Sequence, residues 1–224
     1  MALPPQIEQL RQTLRRPLPG WARQRRMAPE NRPTDIDRMS LVRDDHRESS
    51  VLLLLYPDQA ARLHFVLIRR PEYEGVHSGQ IAFPGGAREA DETPQTTALR
   101  EADEEIGVPA EMVTVLGSLT SLYIPPSNFM VYPFVGYCRC RPAYRPNQRE
   151  VAEILEPPLA MLVDETIVCH EYRHLSQIGR AKIPYYDVFG HKVWGATAMM
   201  LAEFSALVEN LTLIEPNGHL RNEN

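Results

Sequence analysis

The stretch HSGQIAFPGGAREADETPQTTALREADEEIGV, residues 77–108, opens on a double-glycine turn and closes on four acids within five positions, Glu101, Asp103, Glu104 and Glu105. Thr93 suits an N-cap, Pro94 the first helical position and Gly107 a C-terminal stop, which predicts a helix from about Pro94 to Glu105. At about 100° per residue, Ala98, Leu99, Ala102 and Ile106 occupy one arc, while Glu101, Glu104 and Glu105 share the adjoining one. Like charges three or four residues apart cost a few tenths of a kcal/mol, and an acid at the negative end of the helix dipole adds roughly 0.3–1 kcal/mol. The arrangement therefore opposes local stability unless a cation joins it. Hard oxygen ligands on one rigid face suit Mg²⁺, which holds few protein carboxylates and leaves positions for water and phosphate. For EADEE taken alone, a solvated acidic face is the competing reading.

Working upstream, FPGG lets the backbone approach a ligand closely, because Pro84 fixes one φ angle and Gly85 and Gly86 carry no side chain. The spacing between turn and acids is the specific feature. Gly86 is followed after five residues by Glu92, then after seven by Arg100 and Glu101, with Glu104, Glu105, Gly107 and Val108 closing the pattern. That pattern resembles the Nudix box at every fixed position, with the small Ala102 standing where a larger aliphatic residue is common. The resemblance implies an α/β fold, an α/β/α sandwich with a mixed sheet and a loop-helix-loop motif. It also implies hydrolysis of a nucleoside diphosphate linked to another moiety, with Mg²⁺ or Mn²⁺. Carried over by position, Glu101 and Glu105 are the principal metal ligands, Glu104 is a further ligand, and Arg100 and Glu92 support the loop and helix. The base that accepts the water's proton has no fixed position in the family. Glu101 is one candidate and Glu150, in NQREVAEI, is another.

Beyond the box, VLIRRPEYEGVHSGQIAFPGG resembles the coenzyme A pyrophosphatase branch at Arg70, Gly79 and Phe83-Pro84-Gly85-Gly86, and departs from it at Ile68, Pro71 and Gly75. SLYIPPSNFMVYPFVGY and KVWGATAMMLAEF also resemble that branch, so the likeness covers roughly residues 50 to 210. It implies coenzyme A or an acyl derivative as substrate, giving 3′,5′-ADP and a phosphopantetheine product. A 3′-phosphate requires cations away from the metal, for which Arg69 and Arg70 are candidates. Phe83, Tyr123 and Phe129 are candidates for stacking on adenine, with Gly85 and Gly86 beside the substrate. His77 and Ser78 are adjacent and would face opposite ways on a strand, so they are not read as a catalytic pair. Two alternatives stay open: hydrolysis of ADP-ribose or another dinucleotide, and a Nudix-fold sensor that binds a nucleotide without turning it over.

The rest of the chain sets the frame. Its 224 residues support one sizeable core, 43% are hydrophobic and 24% charged, and the net charge of −5 gives no reason to expect a nucleic-acid partner. The longest apolar run, Val51 to Tyr56, is far too short for a membrane span. Three cysteines are too few for a disulfide framework, and Cys138 and Cys140 are expected on one face of a strand in VYPFVGYCRC, so a reducing cytoplasm is the expected setting. Residues 1–48 read as a solvated helical and irregular arm, with Ile7, Leu10 and Leu14 at helical spacing and Pro17 ending that helix. The basic cluster from Arg11 to Arg26 admits an organellar leader as a minor alternative. The hydrolase domain is expected over 49–213 and a tail over 214–224, with a homodimer left open. Strands are expected in SVLLLLYPD, RLHFVLIRR, MVTVLGSLTSLY, FMVYPFVGYCRC, TIVCHEYRHL and IPYYDVF, and a second helix from about Ala196 to Leu211 with one apolar stripe.

Overall fold

In the computed structural model of the chain, residues 2–30, 40–72, 78–175 and 179–209 are described. Strand β1 (Arg47–Pro57) is the spine of the sheet, and its composition explains why. Leu52, Leu53, Leu54 and Leu55 are all fully buried, so this strand is covered on both faces. Alternation divides them. Leu52, Leu54 and Tyr56 pack with Ala98, Ala102 and Ile106 of helix α3 (Pro94–Ile106), whereas Leu53 and Leu55 join the core around helix α4 (Gly195–Val208). Burying each such leucine contributes about 2 kcal/mol, enough to hold a helix on either side.

β1 pairs parallel with β8 (Phe129–Tyr137) and antiparallel with β2 (Leu63–Phe65) and β5 (Gly85–Ala87), while β6 (Thr114–Ser118) and β7 (Leu122–Ile124) pair antiparallel with β8. The sheet is therefore mixed, and with a helix on each face the architecture is the expected α/β/α sandwich. Two three-stranded sheets flank it. One orders β4 (Ile81–Ala82), β3 (Leu67–Arg69) and β9 (Glu153–Leu155); the other orders β10 (Val168–Leu175), β11 (Gly179–Val188) and β12 (His191–Trp194).

Several sequence expectations change. RLHFVLIRR divides at Val66, so that β2 joins the central sheet and β3 a different one. MVTVLGSLTSLY also divides, into β6 and β7, and β6 carries an irregularity between Val115 and Gly117. The cysteine pair does not share a strand face: β8 ends at Tyr137, Cys138 is buried and Cys140 exposed. Helix α4 is buried all round from Thr197 to Phe204 rather than along one stripe; the extension to Leu211 lies outside the described residues, as does the 214–224 tail.

The cause is the leading segment. Helix α1 (Pro5–Thr13) and the short helix α2 (Trp21–Gln24) are not a solvated arm, because Ile7, Leu10 and Met27 are fully buried in the core shared with α4. Glu203 on α4 fastens this cover. Its buried carboxylate accepts from the Gly20 amide at 3.0 Å, Gln24 Nε2 at 2.9 Å and Thr120 Oγ1 at 2.6 Å. These donors satisfy a charge that would otherwise be costly to bury.

Candidate active site

The site begins with two glycines. β5 lies against β1 with Val51 opposite Gly85 and Ser50 opposite Gly86, and the Leu52 amide donates to the Pro84 carbonyl at 2.9 Å. A Cβ on Gly85 would strike the Ser50 carbonyl and the Val51 backbone, so only glycine lets the chains approach this closely. A Cβ on Gly86 would fall on the Glu101 carboxylate. The turn thus leaves open the space that α3 fills with acid.

Helix α3 forms as its ends predict. Thr93 Oγ1 accepts from the Thr96 amide at 3.2 Å, Pro94 opens the first turn, and Gly107 closes the helix at φ 68°. Ala98, Ala102 and Ile106 face the sheet, which carries the neighbouring acidic arc to the glycine turn. Glu105 is only 1% exposed, and its Oε2 accepts from the Gly85 amide at 2.8 Å. Burial pushes its carboxyl up to about 7, against the opposing pull of the Gly85 amide and the Arg70 guanidinium 3.6 Å away. Glu101 is raised as well, by burial first, with Arg100 opposing at 2.9 Å.

The third acid comes from a loop. The Asn147 amide donates to the Glu105 carbonyl and the Arg145 amide to the Ile106 carbonyl, both at 2.9 Å, so the segment after β8 is fastened to the last turn of α3. This brings Glu150 to the helix, and carboxylate oxygens of Glu101, Glu105 and Glu150 lie within 4.8 Å of one another. Glu104 is not in this group. It is about half exposed and receives Arg100 Nη1 at 2.9 Å. Asn147 escaped sequence reasoning because its contribution is a main-chain bond that any residue type can make.

Arg100 organises the support. Its Nε donates to Glu92 Oε1 at 2.6 Å and its Nη2 to the Ala87 carbonyl at 3.2 Å, while Nη1 meets Glu101 and Glu104. Glu92 also accepts from Thr97 Oγ1 at 2.8 Å and the Glu89 amide at 3.1 Å. The Arg100 guanidinium, helped by these donors, holds the Glu92 carboxyl down to about 2 despite partial burial. Loop and helix are therefore tied together through one half-buried fork.

The expected substrate residues separate. Arg70 stands beside Glu105 and hence at the acids, which corrects the expectation that it serves a phosphate remote from them. Arg69 is paired with Glu153 at 2.9 Å. Phe83 is 2% exposed and packed in the core, so its ring is not available for stacking on a base. Tyr123 is also buried, with its hydroxyl donating to Asn128 Oδ1 at 2.9 Å, and Phe129 carries the Arg47 guanidinium 4.1 Å over its ring. Gly75 and His77 lie outside the described residues.

The donor set fits a divalent cation. Three oxygen-bearing side chains converge, one is too desolvated to ionise easily alone, and Gly86 carries no side chain that would displace Glu101 from the group. No helix among the described residues is long and apolar enough to cross a membrane. Comparison with known proteins agrees with this geometry. Residues 46–171 match the NUDIX domain. The chain is 33% identical over 168 residues to the uncharacterized Nudix hydrolase NudL of Photorhabdus laumondii, covering 74% of this chain and 87% of that protein. It is 38% identical over 153 residues to NudL of Pectobacterium atrosepticum, covering 65% and 75% respectively. A Nudix hydrolase from M. smegmatis, RenU, shares the fold with a TM-score of 0.54 at 20% identity, covering 80% of this chain and 91% of that one. Taken with the glycine turn and the acids it faces, these matches place the chain in the Nudix hydrolase family, enzymes that cleave phosphorus-containing acid anhydrides with the help of divalent metals.

Proposed function

We propose that the protein hydrolyses the diphosphate of coenzyme A or an acyl derivative, releasing 3′,5′-ADP and the corresponding 4′-phosphopantetheine. The observation that carries a diphosphate substrate is the convergence of Glu101, Glu105 and Glu150 within 4.8 Å beside the Gly85-Gly86 turn, with the Arg70 guanidinium adjoining. Support for coenzyme A comes from the sequence resemblance at Arg70, Gly79 and the FPGG turn.

Glu101 and Glu105 would hold Mg²⁺ or Mn²⁺, which neutralises charge on the diphosphate oxygens and makes a bound water more acidic. The chain's own groups divide the remaining work. Glu105 is kept in place by the Gly85 amide, and Glu101 by Arg100. Arg70 orients a diphosphate oxygen, a task for which a guanidinium fork is well matched. Glu150, borne on a loop and exposed, accepts the proton as water oxygen bonds to phosphorus and the bridging P–O bond breaks. Glu104 and Glu92 act through Arg100, holding its fork against the Ala87 carbonyl. In this division Glu104 is a support and not a ligand.

The test is a side-by-side kcat/KM panel of coenzyme A, an acyl-coenzyme A, ADP-ribose and NADH, with Mg²⁺ and with Mn²⁺, the products identified by mass. Preference for coenzyme A and the appearance of 3′,5′-ADP are expected. Preference for ADP-ribose or NADH would overturn the substrate while leaving the diphosphate chemistry, and absence of turnover for all four would favour the nucleotide-sensing alternative.

A further inference from the structure

A second cluster of charge lies beside β4, the strand that pairs with β3. β3 pairs with β4, the Arg70 amide donates to the Gln80 carbonyl at 3.0 Å, and Gln80 and Ile81 also line an open pocket of about 260 Å³. Its far wall is supplied by Arg173 of β10 and by His191, Lys192 and Trp194 of β12. None of these residues belongs to the box. They reach it because β12 packs against β4.

The charged residues that line this pocket are cations. Glu171 is the shared partner of Arg173 and of Lys192, the latter at 2.5 Å, and Glu153 serves Arg69 at 2.9 Å while facing His191 at 3.6 Å. The lining itself holds two permanent cations, Arg173 and Lys192, and one histidine, while the carboxylates that meet them, Glu171 and Glu153, stand outside it, as does Glu72 beside Gly79, in a chain whose net charge is −5. Both distal cations are also seated on rings: the Arg173 guanidinium lies 4.6 Å over Trp194 and Lys192 Nζ 5.3 Å over Tyr185. Stacking of this kind restrains a long side chain and leaves the edge of the guanidinium plane for hydrogen bonding. The side chains of Arg173 and Lys192 remain 33% and 47% exposed, so solvent and a ligand can reach them.

We infer that this pocket is an anion subsite for a phosphate monoester on the substrate's ribose, held by Arg173 and Lys192 apart from the diphosphate that Arg70 and the acids engage. The inference rests on the nucleoside-diphosphate reading above and sharpens it, because it assigns the second phosphate to residues outside the box. A dianionic monoester matches two restrained cations sharing one acid, whereas an uncharged ribose hydroxyl would leave that surplus charge unused. A 3′-phosphate, as in coenzyme A, and a 2′-phosphate, as in a phosphorylated nicotinamide dinucleotide, present the same chemistry, and the test separates them.

The test is calorimetric binding of adenosine 3′,5′-bisphosphate, adenosine 2′,5′-bisphosphate and 5′-AMP to the full chain, then to Arg173→Gln and Lys192→Gln, with circular dichroism verifying the fold of each variant. At least one bisphosphate is expected to bind about tenfold or more tightly than 5′-AMP, and each substitution to shrink that ratio severalfold. The bisphosphate that shows the preference identifies the source. Equal affinity for all three, or a preference that survives both substitutions, overturns the subsite. Because binding is read without turnover, a preserved preference for a bisphosphate in a protein that hydrolyses no diphosphate would leave the subsite standing and remove the hydrolase reading alone.

Discussion

The Gly85 amide donates to the Glu105 carboxylate at 2.8 Å, twenty residues further along the chain, joining the turn that receives a ligand to the helix that carries the acids. Because Glu105 is almost wholly buried, this bond and Arg70 are its principal compensation for lost solvent, and they do not suffice to keep it in the ordinary carboxylate range.

A stability profile follows from that carboxyl. Its value is raised in the fold to about 7, from an ordinary 4.5, so between those pH values the folded protein binds a proton that the unfolded chain has released. The metal-free protein is expected to lose stability as pH rises through this window, by on the order of 3 kcal/mol if unopposed. Glu105→Gln should flatten the profile and abolish most hydrolysis. Urea midpoints between pH 4.5 and 7.5 measure the first effect, and a variant that kept the wild-type slope would refute the assignment.

Gly86→Ala isolates the space in front of the acids. Gly86 has no positive φ to defend, and the atoms nearest the added Cβ would be those of the Glu101 carboxylate. The fold is expected to persist with a Tm change of a few degrees, while Mn²⁺ affinity weakens roughly 10–100-fold as Glu101 is pushed aside. Mn²⁺ titration followed by electron paramagnetic resonance decides it. Unchanged affinity would mean that Glu101 does not bind the ion.

Arg100→Lys should lower kcat roughly 10–100-fold, since an ammonium cannot hold Glu92, the Ala87 carbonyl and Glu101 at once. The same variant should change acid unfolding. Arg100 depresses Glu92 to about 2, a stabilisation present above pH 4.5 and lost as pH falls toward 2, so the variant should begin to unfold at higher pH than wild type. Coincident acid transitions for the two proteins would contradict this account.

Glu203→Gln tests the cover over α4. Glutamine keeps one acceptor oxygen and puts a donor in place of the other, so that the NH2 group would face either the Gly20 amide or the Thr120 amide, each of which needs an acceptor. A loss of about 2–4 kcal/mol in denaturant stability is expected, without any change in metal affinity. Faster proteolysis near Gly20 and Gln24 would show that the leading segment had loosened.

The helix and its chemistry were legible in the residues because they depend on near neighbours. Thr93, Pro94 and Gly107 set the ends of α3 through local backbone geometry, and the apolar arc of Ala98, Ala102 and Ile106 determined which side would pack. The spacing from Gly86 to Glu105 then implied a ligand site and the family's sandwich. What lay beyond local reach was decided by tertiary pairing. Glu104 and Glu105 are consecutive, yet burial against Gly85 takes one to the acid cluster while Arg100 holds the other outward. Glu150 arrives only because main-chain bonds fasten its loop to the end of α3, and Phe83 turns from expected ligand contact to core residue by packing under the sheet. Helical period and glycine spacing are properties of the chain itself, whereas desolvation and long-range hydrogen bonding exist only once distant segments meet, and these determined which of the acids share one site.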